Sequence, residues 1–215
     1  MNNIINLTKL SFINLKSLYK QIWFIWIVWI GVAVFNPFFL NMLIGLSILL
    51  TLYQVMAYEE NNGINYLIGT IPVKRKEYVI SRYMLGIINL MLSIMVISIV
   101  YLISTNINNI FIPLKVVLPI GITSAIVAMS IIIPLILKFG VNKGRVFMSM
   151  IIMIIAMAPM SIISDVIKNQ EILNVISNIV RSMWFPLMVV VFNILIIIVS
   201  IIISIVLYQN KEIKE

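Results

Sequence analysis

Long apolar runs separated by short polar breaks dominate the chain, and the spacing of the breaks predicts its elements. Residues 2–21 have a different pattern. At about 100° per residue, Lys9, Lys16 and Lys20 form one stripe, while Ile4, Leu7, Leu15, Leu18 and Tyr19 fall opposite. This is the signature of an amino-terminal interfacial helix with its lysines toward headgroups. From Ile22 to Ala57 no residue is charged. One helix of that length would run about 54 Å, too long for a hydrocarbon core of about 30 Å. The chain must turn back, and Asn36-Pro37 is where it does so. The residue before a proline is pushed out of helical geometry, and Pro37 suits the first turn of a new helix. Spans one and two are therefore expected over 18–36 and 38–57.

The remaining apolar runs place span three at 83–105, span four at 114–137, span five at 146–163 and span six at 184–208. Pro119 and Pro134 fall within span four, where each removes a backbone donor. Between spans five and six, Leu173, Ile176, Val180 and Met183 oppose Glu171, Asn174, Asn178 and Arg181. Residues 164–183 are thus expected to form a second amphipathic helix at an interface. The predicted fold is all-α: one integral membrane domain over 1–215 with six transmembrane helices.

Composition agrees with this reading, since 62% of residues are hydrophobic and only 10% are charged, against about 25% charged in soluble domains. With the amino terminus in the cytoplasm, twelve Lys and Arg residues lie inside and three (Lys115, Lys168, Arg181) outside. That asymmetry orients the chain with both termini cytoplasmic, and the extra amphipathic helix is then extracellular. The formal net charge of +8 follows the ends of the apolar runs and forms no basic patch with stacking aromatics, so no nucleic-acid partner is expected. The excess of Ile, Asn and Lys matches a low-GC bacterial genome, hence a bacterial cell membrane.

Chemistry is narrowed by what the sequence lacks. With no His and no Cys, there is no imidazole or thiolate for metal binding or nucleophilic catalysis, and no Walker loop for ATP. No catalytic and no metal-binding residues are assigned. The span interiors carry no charge that would support an ion relay. Neutral polar residues such as Gln54, Asn89 and Asn193 could line a path or bridge helices, and bridging is the commoner role. Trp23, Trp26 and Trp29 share one helical face, a stripe suited either to an amphipathic substrate or to lipid and packing contacts.

The largest polar break is residues 58–82, YEENNGINYLIGTIPVKRKEYVISR. It mixes Glu59, Glu60, Arg75 and other charges with an apolar knot, Tyr66, Leu67, Ile68 and Ile71. Pro72 can start a new helix, leaving 64–71 as a stub whose apolar side chains either insert into a partner's groove or rest in headgroups. The run Asn62 to Val79, followed by Ser81-Arg82-Tyr83, resembles the loop of ABC-2 type transporter permeases. The likeness is to the short six-span branch that includes the membrane subunits of phenol-soluble modulin exporters. Phe139-Gly140-Val141-Asn142-Lys143-Gly144-Arg145 is similar to the second cytoplasmic turn of that branch.

The resemblance implies a permease subunit with no ATPase site of its own, not an enzyme. It would be driven by a separate cytoplasmic ABC ATPase that binds ATP and Mg, and would be paired with a second permease copy or paralogue. The ATPase would dock on Glu59, Glu60, Asn65, Tyr66, Leu67, Ile68, Thr70, Ile71, Pro72, Val73 and Arg75. Phe139, Gly140, Asn142, Lys143, Gly144 and Arg145 would form the second contact. The cargo expected from such exporters is an amphipathic or hydrophobic peptide. A membrane immunity or sensor subunit that binds such peptides without moving them is the alternative.

Overall fold

The computed structural model describes residues 2–35, 39–64, 73–107, 114–142, 144–147, 149–150, 182 and 184–210. Five long helices account for most of them: α1 (Asn2–Phe35), α2 (Phe39–Asn61), α3 (Arg75–Ile107), α4 (Leu114–Phe139) and α5 (Phe185–Gln209). No strand occurs among the described residues. By length and composition α3, α4 from Val117, and α5 can each cross a membrane. The two segments of α1, Asn3–Leu18 and Trp23–Phe35, meet at 80° and make a fourth if taken as one broken span. The fifth expected span (146–163) lies mostly outside the described residues, as does the amphipathic segment 164–183 except for Ser182.

The α1 bend follows the change in pattern at residue 22. In the first segment Leu7 and Leu18 are buried while Lys9 and Lys16 are exposed, as the stripe requires. The second segment carries no charge. Helix α2 is the centre of the bundle and packs against α1, α3 and α4. Residues 43–49 are buried all round, which fits a sequence with no polar face. Close approach is set by small residues, because a Cβ on Gly121 would overlap Ile44 and one on Gly86 would overlap Met129.

Two boundaries differ from the sequence expectation. Helix α2 continues to Asn61 and α3 begins at Arg75, so both ends of the 58–82 break are helical and residues 62–74 lie between the two helices. The α3 start is stabilised locally: Glu77 Oε2 accepts the Lys74 backbone N–H at 3.0 Å, half of a capping box. Polarity alone had marked these turns as loop, yet capped and ion-paired ends let a helix continue through charged residues.

Polar side chains tie the apolar helices together. Between α2 and α3, Ser47 Oγ lies 2.7 Å from Ser93 Oγ, and Asn89 Nδ2 donates to Thr51 Oγ1. Within α4, Pro134 cannot donate to the Ser130 carbonyl one turn earlier. Ser200 Oγ of α5 donates to that carbonyl at 2.7 Å, and the Tyr83 hydroxyl of α3 meets Ser200 and, at 2.8 Å, Ser204. A proline in a spanning helix is tolerated when a neighbour satisfies the freed group, as here.

This arrangement predicts a non-additive pair. Ser200→Ala should lower stability by about 1 kcal/mol, the typical worth of a buried hydrogen bond. In a Pro134→Ala background, where residue 134 regains its N–H, the loss should be smaller. Thermal unfolding of the four proteins in detergent measures both, and equal losses in the two backgrounds would refute the coupling.

Candidate functional site

Five parts of the chain converge at one end of the bundle: the first segment of α1, the end of α2, the start of α3, the turn after α4 and the end of α5. The adjacent carboxylates at the end of α2 point about 100° apart, as neighbours on a helix must, and they serve different partners.

Glu59 points inward. Its Oε1 accepts from Arg82 Nη1 at 2.8 Å, and both side chains are 0% exposed. Ser11 Oγ and Asn14 Nδ2 of α1 lie 3.1 and 3.4 Å from the same oxygen, and the Tyr78 hydroxyl donates to Oε2 at 3.3 Å. Arg82 Nη1 also donates to Ser11 Oγ, and its guanidinium carbon sits 4.3 Å from the centre of the Tyr78 ring. Arg82 Nε and Nη2 have no hydrogen-bond partner among the described residues. The ring face below the guanidinium supplies a cation–π contact. The cluster thus joins α1, α2 and α3 through one buried ion pair.

Glu60 faces the turn after α4. That helix ends at Phe139, and Gly140 reverses the chain with φ +79, a conformation that favours glycine. The Gly140 N–H closes the helix on Ile136 O at 2.9 Å, and the Gly144 N–H bonds Gly140 O at 3.0 Å to open the next turn. The Val141 N–H at that opening is received by both Glu60 oxygens, at 3.1 and 3.0 Å. A carboxylate at a helix start satisfies an orphan donor and complements the dipole. A Cβ at Gly140 would stand 2.9 Å from Glu60 Oε1, so the close fit also needs glycine.

Arg75 caps another helix. Its Nη1 donates to the Gln209 carbonyl at 2.7 Å and to the Tyr208 carbonyl at 3.3 Å, holding the last turn of α5. Tyr78 and Tyr208 pack with ring centres 5.3 Å apart. Glu77 also accepts from Asn3 Nδ2 at 3.2 Å, attaching the start of α1.

The sequence-predicted docking residues therefore divide. Glu59 was expected at the rim of a partner contact, and the structure instead buries it inside the bundle. Two opposite charges withdrawn from water hold each other there. Glu60 and Arg75 are engaged with the Gly140 turn and with α5. Val73 is half-buried. Asn65, Tyr66, Leu67, Ile68, Thr70, Ile71 and Pro72 lie outside the described residues, as does Lys143. In the second turn Phe139, Asn142 and Arg145 are exposed and Gly144 is buried. Phe139 stacks on Phe147 at 6.1 Å, Lys138 lies over its ring, and Arg145 Nε donates to Tyr53 at 3.1 Å.

Of the candidate path residues, Trp23, Trp26 and Asn89 line one groove beside α1. Gln54 does not line it, and Asn193 is buried elsewhere, donating to Thr123 at 3.2 Å between α5 and α4. Among the described residues no group of His, Cys, Asp or Glu could hold a metal ion.

The family model described as ABC-2 family transporter protein matches residues 6–209, nearly the whole chain. The chain belongs to the ABC-2 transporter family. Comparisons with curated proteins and with solved structures gave no match. An ABC-2 family protein is a membrane component of a transporter rather than an ATPase, and membership implies a lipid bilayer and a partner ATPase. The link between α2 and α3 in this ABC-2 protein is held at both ends: Glu59 and Glu60 precede it, and Arg75, Tyr78 and Arg82 follow it.

The buried pair was not foreseen from the sequence. A signal existed, since opposite charges flank the same polar break beside apolar runs, with Tyr78 one helical turn before Arg82. Arg82→Met should leave Glu59 buried without its partner and cost about 3–5 kcal/mol, whereas the double variant Glu59→Leu/Arg82→Met should recover most of that loss. Denaturation midpoints of the two variants test this. A double variant no more stable than Arg82→Met would show that the pair's charges are not the source of the penalty.

Proposed function

We propose that this protein is the permease subunit of an ATP-binding-cassette exporter that moves amphipathic or hydrophobic peptides out of the cell. It has six spans and both termini in the cytoplasm. A second permease copy or paralogue completes the path, and a separate ATPase that binds ATP and Mg drives it. The family match over residues 6–209 carries the permease reading. The likeness of residues 62–79 to the loop of the phenol-soluble modulin exporter branch supports the peptide cargo.

Docking on the 62–74 link fits the way its ends are held. A push on the link reaches α2 through Glu59 and Glu60, α3 through Arg82, and α1 through Ser11 and Asn14. Arg75 extends the same push to the end of α5, and Glu60 extends it to the turn after α4. Motion at one short link is thereby shared by all five described helices. In this reading Tyr66, Leu67 and Ile71 insert into the ATPase, Asn65, Ile68, Thr70 and Pro72 shape the stub, and the turn at 139–145 makes a second contact.

Replacing Tyr66 and Leu67 by Asp should abolish co-purification with the ATPase and stop peptide efflux, while the permease stays folded by circular dichroism. A complex that survives these changes would refute docking through the link. Efflux that persists without a hydrolysis-competent ATPase would refute the exporter assignment.

A further inference from the structure

Beside α1 runs a groove of about 540 Å³, within the size range of small-molecule sites. Its walls are mostly apolar, with Phe12, Leu15, Trp26 and Ile30 on one side and Leu92 and Val96 on the other, over a floor that includes Thr51, Asn89 and Ser93. Among the described side chains one cation, Lys16, stands at its edge. We propose that the groove binds one acyl chain of an anionic membrane lipid, with the headgroup at Lys16.

The direction of the groove carries this assignment. The segment bearing Phe12, Leu15 and Lys16 meets the segment bearing Trp26 and Ile30 at 80°. When the second segment runs along the bilayer normal, the first lies near the membrane plane, which puts Lys16 at headgroup depth and Ile30 in the hydrocarbon. From Trp23 to Ile30 the groove descends about 10 Å at 1.5 Å per residue, well into a leaflet of roughly 15 Å. Trp23, just over half exposed, sits where the two segments meet, a headgroup-level position that suits indole.

Charge and hydrogen bonding select the occupant. Lys16 is exposed and forms no ion pair with a carboxylate among the described residues. Glu59 is held by Arg82, Glu60 by the Val141 N–H and Glu77 by Lys74 and Asn3. An anionic headgroup would supply the missing charge. The donors of the polar side chains that line the groove, Thr51, Asn89 and Ser93, are already taken up by neighbours. Asn89 donates to Thr51, Ser93 meets Ser47, and Ser93 also bonds the Asn89 carbonyl at 2.8 Å. The donors of this floor are spent, so it suits a hydrocarbon chain better than a peptide backbone, whose carbonyls would go unpaired there.

The test uses full-length protein in vesicles, with no ATPase present, so its outcome is independent of the exporter reading. Phosphatidylglycerol and phosphatidylcholine probes carry a photoactivatable diazirine in mid-chain, and labelled positions are mapped by mass spectrometry. The phosphatidylglycerol probe should label 23–30 and 92–96 more than the exposed face of α5 at Ile194 and Ile198, which lie outside the groove. It should also exceed the phosphatidylcholine probe in the groove by about fivefold, the ratio expected from roughly 1 kcal/mol per lysine near an anionic headgroup. Lys16→Gln should bring the two probes level there and leave α5 labelling unchanged. Even labelling of groove and outer faces, an unlabelled groove occupied by a peptide or a second copy of the chain, or a probe ratio indifferent to Lys16→Gln would each overturn the proposal.

Discussion

The ion pair between Glu59 and Arg82 is the constraint on which the rest of this end of the bundle depends. Two charges removed from water are stable only while each faces the other, and here Glu59 takes further hydrogen bonds while the Arg82 guanidinium rests on the Tyr78 ring. Those requirements specify the surroundings closely. Ser11 and Asn14 must come from α1, Tyr78 must lie one turn before Arg82, and α2 and α3 must meet at a fixed register. Apolar helices in lipid gain no hydrophobic drive from meeting each other, because lipid tails are as apolar as leucine, so register rests on close packing and on polar contacts such as this one. A buried charge pair supplies the specificity that a greasy interface lacks.

The same end shows how neighbouring residues acquire different duties. Glu59 and Glu60 are chemically identical and adjacent, and helical geometry alone sends one to the interior and the other to a backbone N–H beyond α4. Arg75 and Arg82 divide similarly, one capping α5 and the other bracing α2. Charges that a count along the sequence would assign to a solvated loop are mostly spent inside the molecule.

Legibility in the sequence followed the strength of each physical signal. Helix existence in 75–107, 114–139 and 185–209 was readable because uninterrupted apolar runs leave a membrane chain no other backbone solution. The amphipathic start of α1 was readable from three lysines, although the 80° angle was not, since a periodic stripe says which face is wet and nothing about where the axis turns. Boundaries at Asn61 and Arg75 were missed because local capping by Glu77 and pairing of Glu59 with Arg82 outweigh average polarity. The candidate site was legible as a region but not as a set of contacts. Single-residue pattern cannot say that Glu59 faces α1 while Glu60 faces the Gly140 turn. The grouping of Trp23, Trp26 and Asn89 came from packing between helices far apart in sequence.

Pro134 in α4 also orders events in time. Helix α4 leaves the ribosome before α5, and until α5 arrives the Ser130 carbonyl lacks the donor that Pro134 cannot provide. Tyr83 on α3 waits for Ser200 and Ser204 of that same final helix. The later helix therefore satisfies the unmet needs of two earlier ones.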